Sequence, residues 1–262
     1  MTYSFYYIIH QTNNVLVNLP YYQNDHIFNE WLAGIIDGDG HFRVDTNTSP
    51  ILIIELSGKN MTLLSLIQSK IGGNINPTSR NKVSLRFTLS KRADFINLIH
   101  RVNGHIRNSI RLIQFNKICS YYEIQPLDTI PLTTDNAWFT GFFDADGSIY
   151  ARFNHKPCIF IQVTNKYVND LTMFNSFFSG NIYDTKTVHP CYRWMIGSRE
   201  DILKLHSYFM KFPPMSHKLH RIVMIPEFYH LIDSKAHKDI NQSNLWSNFV
   251  SNWKLNVQKD IM

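Results

Sequence analysis

The chain contains an internal repeat, and that repeat limits its fold more than any other feature. Trp31-Leu-Ala-Gly-Ile-Ile-Asp-Gly-Asp-Gly-His-Phe42 returns as Trp138-Phe-Thr-Gly-Phe-Phe-Asp-Ala-Asp-Gly-Ser-Ile149, an offset of 107 positions. The offset holds without a gap for a long way. Ile71-Gly-Gly-Asn-Ile75 falls on Phe178-Ser-Gly-Asn-Ile182, Leu64 on Leu171, Arg86 on Arg193, Phe87 on Trp194 and Asp94 on Asp201. Two copies of this length are too few and too long for a solenoid, whose units run ~20–50 residues. They read as a duplicated domain, a pseudo-dimer in a single chain. Residues 125–136, with Pro126 and Pro131 in a polar cluster, read as the linker. The expected plan is an N-terminal extension (1–24), a first domain (25–124), the linker, a second domain (137–234) and a C-terminal tail (235–262).

Within each copy the hydrophobic period switches between helix and strand. Ile27, Trp31, Leu32, Ile35 and Ile36 share one face of a predicted helix over 25–37. Val83, Leu85, Phe87 and Leu89 alternate with Lys82, Ser84, Arg86, Thr88 and Ser90, as in a strand buried on one side. Ser148–Asn154 alternates likewise, with Ile149, Ala151 and Phe153 inward. Further helices are predicted at 61–71, 93–102, 168–178 and 200–210. Each copy therefore reads helix–strand–strand–helix–strand–strand–helix, an α+β unit with an antiparallel sheet.

At 44% hydrophobic and 14% aromatic over 262 residues, the composition provides a sizeable core and excludes a disordered chain. Cys119, Cys158 and Cys191 have no C-x-x-C spacing, so neither a zinc site nor a disulfide framework is indicated, and a reducing compartment fits best. No stretch approaches the ~20 apolar residues of a membrane span. No Lys or Arg precedes Arg43, so neither a secretory signal nor a transit peptide is written here. Asn occurs 25 times and Ala only 6 times, the bias of AT-rich coding DNA. Together these point to an organelle, the mitochondrion first, as both the site of synthesis and the site of work.

The repeated acidic motif has chemical as well as structural content. Gly34 and Gly141 sit in otherwise bulky helices, where glycine costs about 1 kcal/mol relative to alanine. Close approach of two helix backbones would offset that cost, and the duplication supplies two such helices. If they pack about a two-fold axis, Asp37-Gly-Asp-Gly40 and Asp144-Ala-Asp-Gly147 converge at their C-terminal ends. Gly40 and Gly147 fit the left-handed residue that commonly ends a helix. Asp39 and Asp146 then face each other at the negative ends of two helix dipoles. Hard divalent cations resolve that repulsion, since Mg²⁺ takes one or two carboxylates plus water and phosphate oxygens. A lone D-x-D-G is often only a turn; here its duplicate at the same place in the repeat argues for a site. An EF-hand is not indicated, because His41-Phe-Arg43 does not continue its loop.

These segments resemble the LAGLIDADG homing endonucleases in their single-chain, two-motif form. Leu32–Gly40 matches the nine-residue motif closely, and Phe139–Gly147 matches it well in its second half. The resemblance covers roughly residues 25–230. It implies two pseudo-symmetric αββαββα domains, each with a four-stranded antiparallel sheet. Together they would form a concave DNA-binding saddle, with the motif helices packed at the domain interface.

The resemblance also implies residue roles. The eighth-position acids, Asp39 and Asp146, are the expected metal ligands, helped by the carbonyls of Gly38 and Ala145. Asp37 and Asp144 are expected to tie off the helix ends. A basic residue near the start of each half's last helix falls on Lys218 and, by the offset, on Arg111. Gln162 and its repeat partner Glu55 are candidates to order water near the metals, although an ion pair of Glu55 with Arg43 or Arg86 would explain it equally well. The implied cofactor is Mg²⁺, as two or three cations shared between the motif carboxylates, with Mn²⁺ an expected substitute and Ca²⁺ expected to bind without turnover.

The implied reaction is hydrolysis of a phosphodiester in each strand of a long, imperfectly palindromic duplex, leaving 3′ overhangs. The first 124 residues carry 12 basic against 8 acidic side chains and the remainder 14 against 12, so both halves suit a phosphate backbone. The outward strand residues His41, Arg43, Arg80, Lys82, Ser84, Arg86 and Thr88 in one half are candidate DNA readers. Their counterparts are Ser148, Tyr150, Arg152, Asn154, Thr164, Lys186, His189 and Arg193 in the other. A monomer is expected, because the pseudo-dimer is complete in one chain. The alternative function is an intron-encoded RNA maturase that binds its host intron, alone or alongside DNA cleavage.

Overall fold

The computed structural model describes residues 20–44, 48–78, 84–185, 191–239, 241 and 243–258. The chain groups into two compact units, Met1–Pro131 with Asp135–Ala145, and Leu132–Thr134 with Asp146–Met262. The repeat suggests a boundary at 137. The second motif helix up to Ala145 instead belongs with the first unit, because its backbone packs on the first motif helix.

In the first unit, Asn24 caps the opening helix by accepting the His26 N–H at 2.9 Å, the usual way to satisfy an orphan donor at a helix start. That helix, α1 (Asp25–Asp39), runs two residues past the predicted end, so that the motif acids lie in its last turn. It leads into β1 (Gly40–Arg43), β2 (Ile51–Ser57), α2 (Met61–Ile71), β3 (Asn74–Pro77), β4 (Ser84–Leu89), α3 (Arg92–Val102) and α4 (Ser109–Tyr121). The sheet is antiparallel in the order β1-β2-β4-β3. Leu52, Ile54, Leu85, Phe87 and Leu89 point inward and are buried with Leu63, Ile67, Phe95 and Ile99 of the helices. Full burial of a side chain such as Phe87 contributes roughly 1.5–3 kcal/mol.

The second copy repeats this plan. After α5 (Trp138–Asp146) come β5 (Gly147–Arg152), β6 (Cys158–Asn165), α6 (Asn169–Phe178), β7 (Asn181–Asp184), β8 (Tyr192–Ile196) and α7 (Arg199–Lys211). Its sheet has the order β5-β6-β8-β7, matching the first strand for strand. Ile159, Ile161, Val163, Trp194 and Ile196 form the inward face.

Each half has more helix than the seven-element reading allowed. The first half adds α4. At the same offset the second half has two shorter helices, α8 (Leu219–Val223) and α9 (Ile225–Asp233). Pro226 explains the break, since its ring nitrogen has no proton to give the carbonyl of Ile222 and a continuous helix would lose that bond. A last helix, α10 (Ser243–Gln258), follows. Among the described residues, no helix is long and apolar enough to cross a membrane.

Candidate nucleic-acid interface and metal site

The two motif helices meet at their glycines. A methyl group on Gly34 would strike the carbonyl of Trp138 and come within 2.6 Å of the Phe142 nitrogen. One on Gly141 would strike the carbonyl of Trp31 and come within 3.0 Å of the Ile35 nitrogen. The contact is backbone on backbone, as the misplaced glycines suggest. The tryptophans that open each motif then reach across. Trp138 Nε1 donates to Asp37 Oδ2 at 2.8 Å, and Trp31 Nε1 donates to Asp144 Oδ2 at 2.9 Å. All four residues are buried. Asp37 and Asp144 are therefore structural, as expected. Each acid accepts the indole proton of the tryptophan on the opposite motif helix.

More polar contacts lie along the same seam. Asp37 Oδ2 also accepts the Arg107 N–H at 2.7 Å, and Glu30 accepts the Ala137 N–H at 2.9 Å. The Arg107 guanidinium lies 5.1 Å from the centre of the Trp138 ring. Burial outweighs these donors and pushes the Asp37 carboxyl up to about 7. Burial raises Glu30 as well. Next to them, burial with the Arg107 and His26 charges holds His105 down at about 4. Sequence reasoning passed over Trp31, Trp138, Glu30 and Arg107. For the two tryptophans the signal was present, since each stands six residues before its motif's first acid in both copies.

Asp39 and Asp146 are the last residues of α1 and α5, and both are half-buried, as are Gly38 and Ala145. Gly40 does not take the left-handed conformation expected of a helix-ending glycine. It is extended, with φ −79° and ψ 153°. What excludes a side chain there is space, because a methyl group would lie 2.6 Å from Ile36 Cα. Gly147 likewise has no positive φ and opens β5 directly. Among the described residues, no three His, Cys, Asp or Glu side chains gather into a metal cage. With Asp37 and Asp144 committed to indoles, Asp39 and Asp146 are the motif carboxylates not so committed. Each is an oxygen donor of the kind that Mg²⁺ takes alongside water and phosphate.

Arg111 is the third residue of α4, held by the Asn108 cap, whose side chain accepts the N–H groups of Ile110 and Arg111 at 3.1 Å each. Lys218 directly precedes α8 and is half-buried. Gln162 points to the outward face of β6, and its buried Oε1 has no hydrogen-bond partner. Glu55 pairs with Arg86 directly across the ladder, Nε to Oε1 at 2.6 Å, with 46% and 49% of the two side chains exposed. Of the two ion pairs considered for Glu55, the structure forms the one with Arg86.

The outward faces follow the register. In the first sheet, Arg43 sits across from Ile51, and His41 from Ile53 and then Thr88. Glu55 sits across from Arg86 and then Asn76. His41, Arg43 and Arg86 are exposed, and Ser84 and Thr88 half-exposed. In the second sheet, Ser148, Gln162, Met195 and Asn181 form one row and Thr164, Arg193 and Tyr183 another. Tyr150 and Arg152 are exposed on edge strand β5, and exposed Asn154 lies just past its end. Four candidate readers, Arg80, Lys82, Lys186 and His189, lie outside the described residues.

The outward faces also carry apolar groups that sequence reasoning did not select. Ile51 and Ile53 lie on one sheet, and Phe160, stacked on the candidate reader Tyr150 at 5.1 Å, lies on the other. The unbroken run Ile51-Leu-Ile-Ile54 hides its alternation, so its outward members could not be told from core.

Comparison with known proteins agrees with this architecture. The sequence profile described as LAGLIDADG endonuclease matches residues 32–122 and again 139–229. An intron-encoded RNA maturase, bI4, of Saccharomyces cerevisiae is 39% identical over 93% of this chain. A probable intron-encoded endonuclease, aI2, of Debaryomyces hansenii is 34% identical over 86%. The chain spans 40% and 37% of the lengths of these two curated relatives. The crystal structure of the I-LtrWI LAGLIDADG homing endonuclease bound to target DNA covers 89% of this chain and 99% of its own, with a TM-score of 0.63 at 15% identity. At that identity it speaks for the fold alone.

Proposed function

Because the chain belongs to the LAGLIDADG endonuclease family, we propose that it is a site-specific DNA endonuclease cutting both strands of a long, pseudo-palindromic duplex to leave 3′ overhangs. The observation that carries this reading is the retention of both eighth-position acids. Each ends a motif helix whose other acid is already committed to an indole. Asp39 and Asp146 would hold Mg²⁺, with the carbonyls of Gly38 and Ala145 as further donors. Divalent cations there would neutralise phosphate oxygens and lower the pKa of an attacking water. Lys218 and Arg111 supply positive charge to the phosphate. Gln162, with an acceptor oxygen left over, orders water. Arginines on the outward sheet faces bind the backbone, and among them Arg43 and Arg86 read guanine in the major groove. The relatives' intron-encoded names favour a mitochondrial site of work, and the duplication within one chain favours a monomer.

The test uses cleaved sites selected from a randomised duplex library with Mg²⁺, and again with Ca²⁺. Asp39→Asn or Asp146→Asn is expected to abolish double-strand cutting while changing affinity for the selected duplex less than threefold. Full cutting by the double variant would remove the assignment.

A second reading has one observation in its favour, the 39% identity to a protein named as an RNA maturase. There the chain binds and folds its host intron. Selective binding of that RNA, with no cleaved duplex recovered in Mg²⁺ or Mn²⁺, would move the assignment to it.

A further inference from the structure

The second unit carries a groove that neither the motif nor the sheet face accounts for. It opens where edge strand β5 ends and α10 passes beside it, with a volume of about 510 Å³. Arg152, Phe153 and Asn154 line it from the strand side, and Trp246, Ser247, Val250, Ser251 and Lys254 from the helix. The helix is firmly seated. Phe153 meets the rings of Trp246, Phe249 and Trp253 edge-on at 5.8, 6.4 and 6.1 Å. The Arg221 guanidinium lies 5.6 Å from the Trp253 ring centre and donates to the Ile149 carbonyl at 2.8 Å. Most of the apolar side of α10 is thus spent on packing, and its exposed residues include Asn244, Ser247, Asn248, Ser251, Asn252 and Lys254, with Leu245 beside them.

Two properties of this groove identify its occupant. The first is charge. No Asp or Glu occurs from 147 to 169 or from 240 to 259, so both walls come from acid-free segments that bring Arg152 and Lys254 together with neutral hydrogen-bonding side chains. Ser, Asn, Lys and Arg are among the side chains that contact phosphate and sugar. The second is continuity. Arg152 belongs both to the groove and to the outward face of the second sheet, where Tyr150 precedes it on the same side of β5. A duplex lying on that face would leave the sheet along this edge.

We propose that the groove between β5 and α10 is a second phosphate-binding site, which grips the backbone of double-stranded DNA flanking the part of the target read by the second sheet. This rests on the DNA-endonuclease reading and extends its footprint beyond the base-reading strands. The occupant is DNA rather than RNA because Arg152 joins the groove to the sheet face on which that reading lays a duplex.

The experiment compares affinity for two duplexes at several salt concentrations. One ends at the border of the selected site. The other is extended past the second half-site by about one helical turn, ~10 bp. The wild-type chain is expected to bind the extended duplex about three- to tenfold more tightly. Lys254→Glu is expected to abolish that gain and reduce the salt slope on the long duplex by about 1. Ser251→Glu, at another exposed position, should do the same and guards against a fold defect peculiar to one variant. Equal wild-type affinity for both duplexes, or variants that keep the gain, would overturn the inference. So would loss of host-intron RNA binding in the variants with the DNA gain intact, which would assign the groove to RNA. Failure of the wild type to bind even the short duplex would instead sink the endonuclease reading itself.

Discussion

Trp138 of the second motif donates its indole proton to Asp37 of the first at 2.8 Å, and the exchange is returned by Trp31 to Asp144 at 2.9 Å. Both bonds are buried, so neither acid can be released to solvent without separating the helices. One acid of each motif is thus a brace, which sets it apart from the eighth-position acid proposed to hold the metal. Trp138→Phe keeps an aromatic side chain but removes the donor and leaves a small cavity where the five-membered ring was. It should destabilise the fold by about 1–3 kcal/mol, the cost of leaving a buried acceptor short of a partner. Trp31→Phe should fall in the same range. Urea unfolding gives both numbers, and a change below ~0.5 kcal/mol in either would mean that the brace is incidental.

Gly34→Ala tests the seam by volume. The added methyl would meet Trp138 and Phe142 backbone, which cannot move aside as a flexible side chain could. Overpacking against yielding neighbours costs about 1–3 kcal/mol, and rigid ones should place this change at or above that range. The expected result is loss of soluble, cooperatively folding protein. A Gly34→Ala chain that melts within 2–3 °C of the wild type, roughly the shift of a mild change, would mean the helices do not pack this way.

Much of this was legible in the sequence because it is written in local periods. The alternation Ser84–Leu89 predicts which residues face outward, and the structure buries Leu85, Phe87 and Leu89 while exposing Arg86. The glycines of the motif predict a close helix contact, and that contact exists. What was not legible depends on pairing across long separations. Trp31 fits an apolar helix face, and nothing local says that its nitrogen needs an acid 113 residues away. Gly40 looked like a left-handed cap because glycine usually is one there, yet it is the approach of Ile36 that excludes a side chain. The break between α8 and α9 could have been read from Pro226.

Asp37 should leave a mark on the pH dependence of stability. Its carboxyl sits at about 7 in the folded chain against an ordinary 3.8. Between those values the folded state holds a proton that the unfolded state has released. The contribution is therefore fully present below about pH 4 and is lost as pH rises through 7. His105 works in the opposite direction, since at about 4 against 6.5 it is neutral when folded and protonated when unfolded across that window. The two partly cancel in the wild type, so the informative quantity is the stability of the wild type minus that of Asp37→Asn. That difference should decline from pH 4 to 7 and level off above it. A difference flat across the range would show Asp37 to be ionised throughout.

Glu55 and Arg86 form an exposed cross-strand pair whose value lies in charge placement more than in stability. With about half of each side chain in solvent, the pair should contribute less than about 1 kcal/mol to the fold. If the sheet faces DNA as proposed, Glu55 withholds one cation from the phosphates. Glu55→Gln should leave the unfolding midpoint nearly unchanged, tighten binding of the selected duplex several-fold at low salt, and steepen its salt dependence by about 1. Arg86→Ala should weaken binding and flatten that dependence. A water-ordering role for Glu55 predicts something different: Glu55→Gln would bind as the wild type does, with the same salt slope, but cut far more slowly. Measuring affinity and single-turnover cleavage on one duplex separates the two roles, because only the first moves the salt slope.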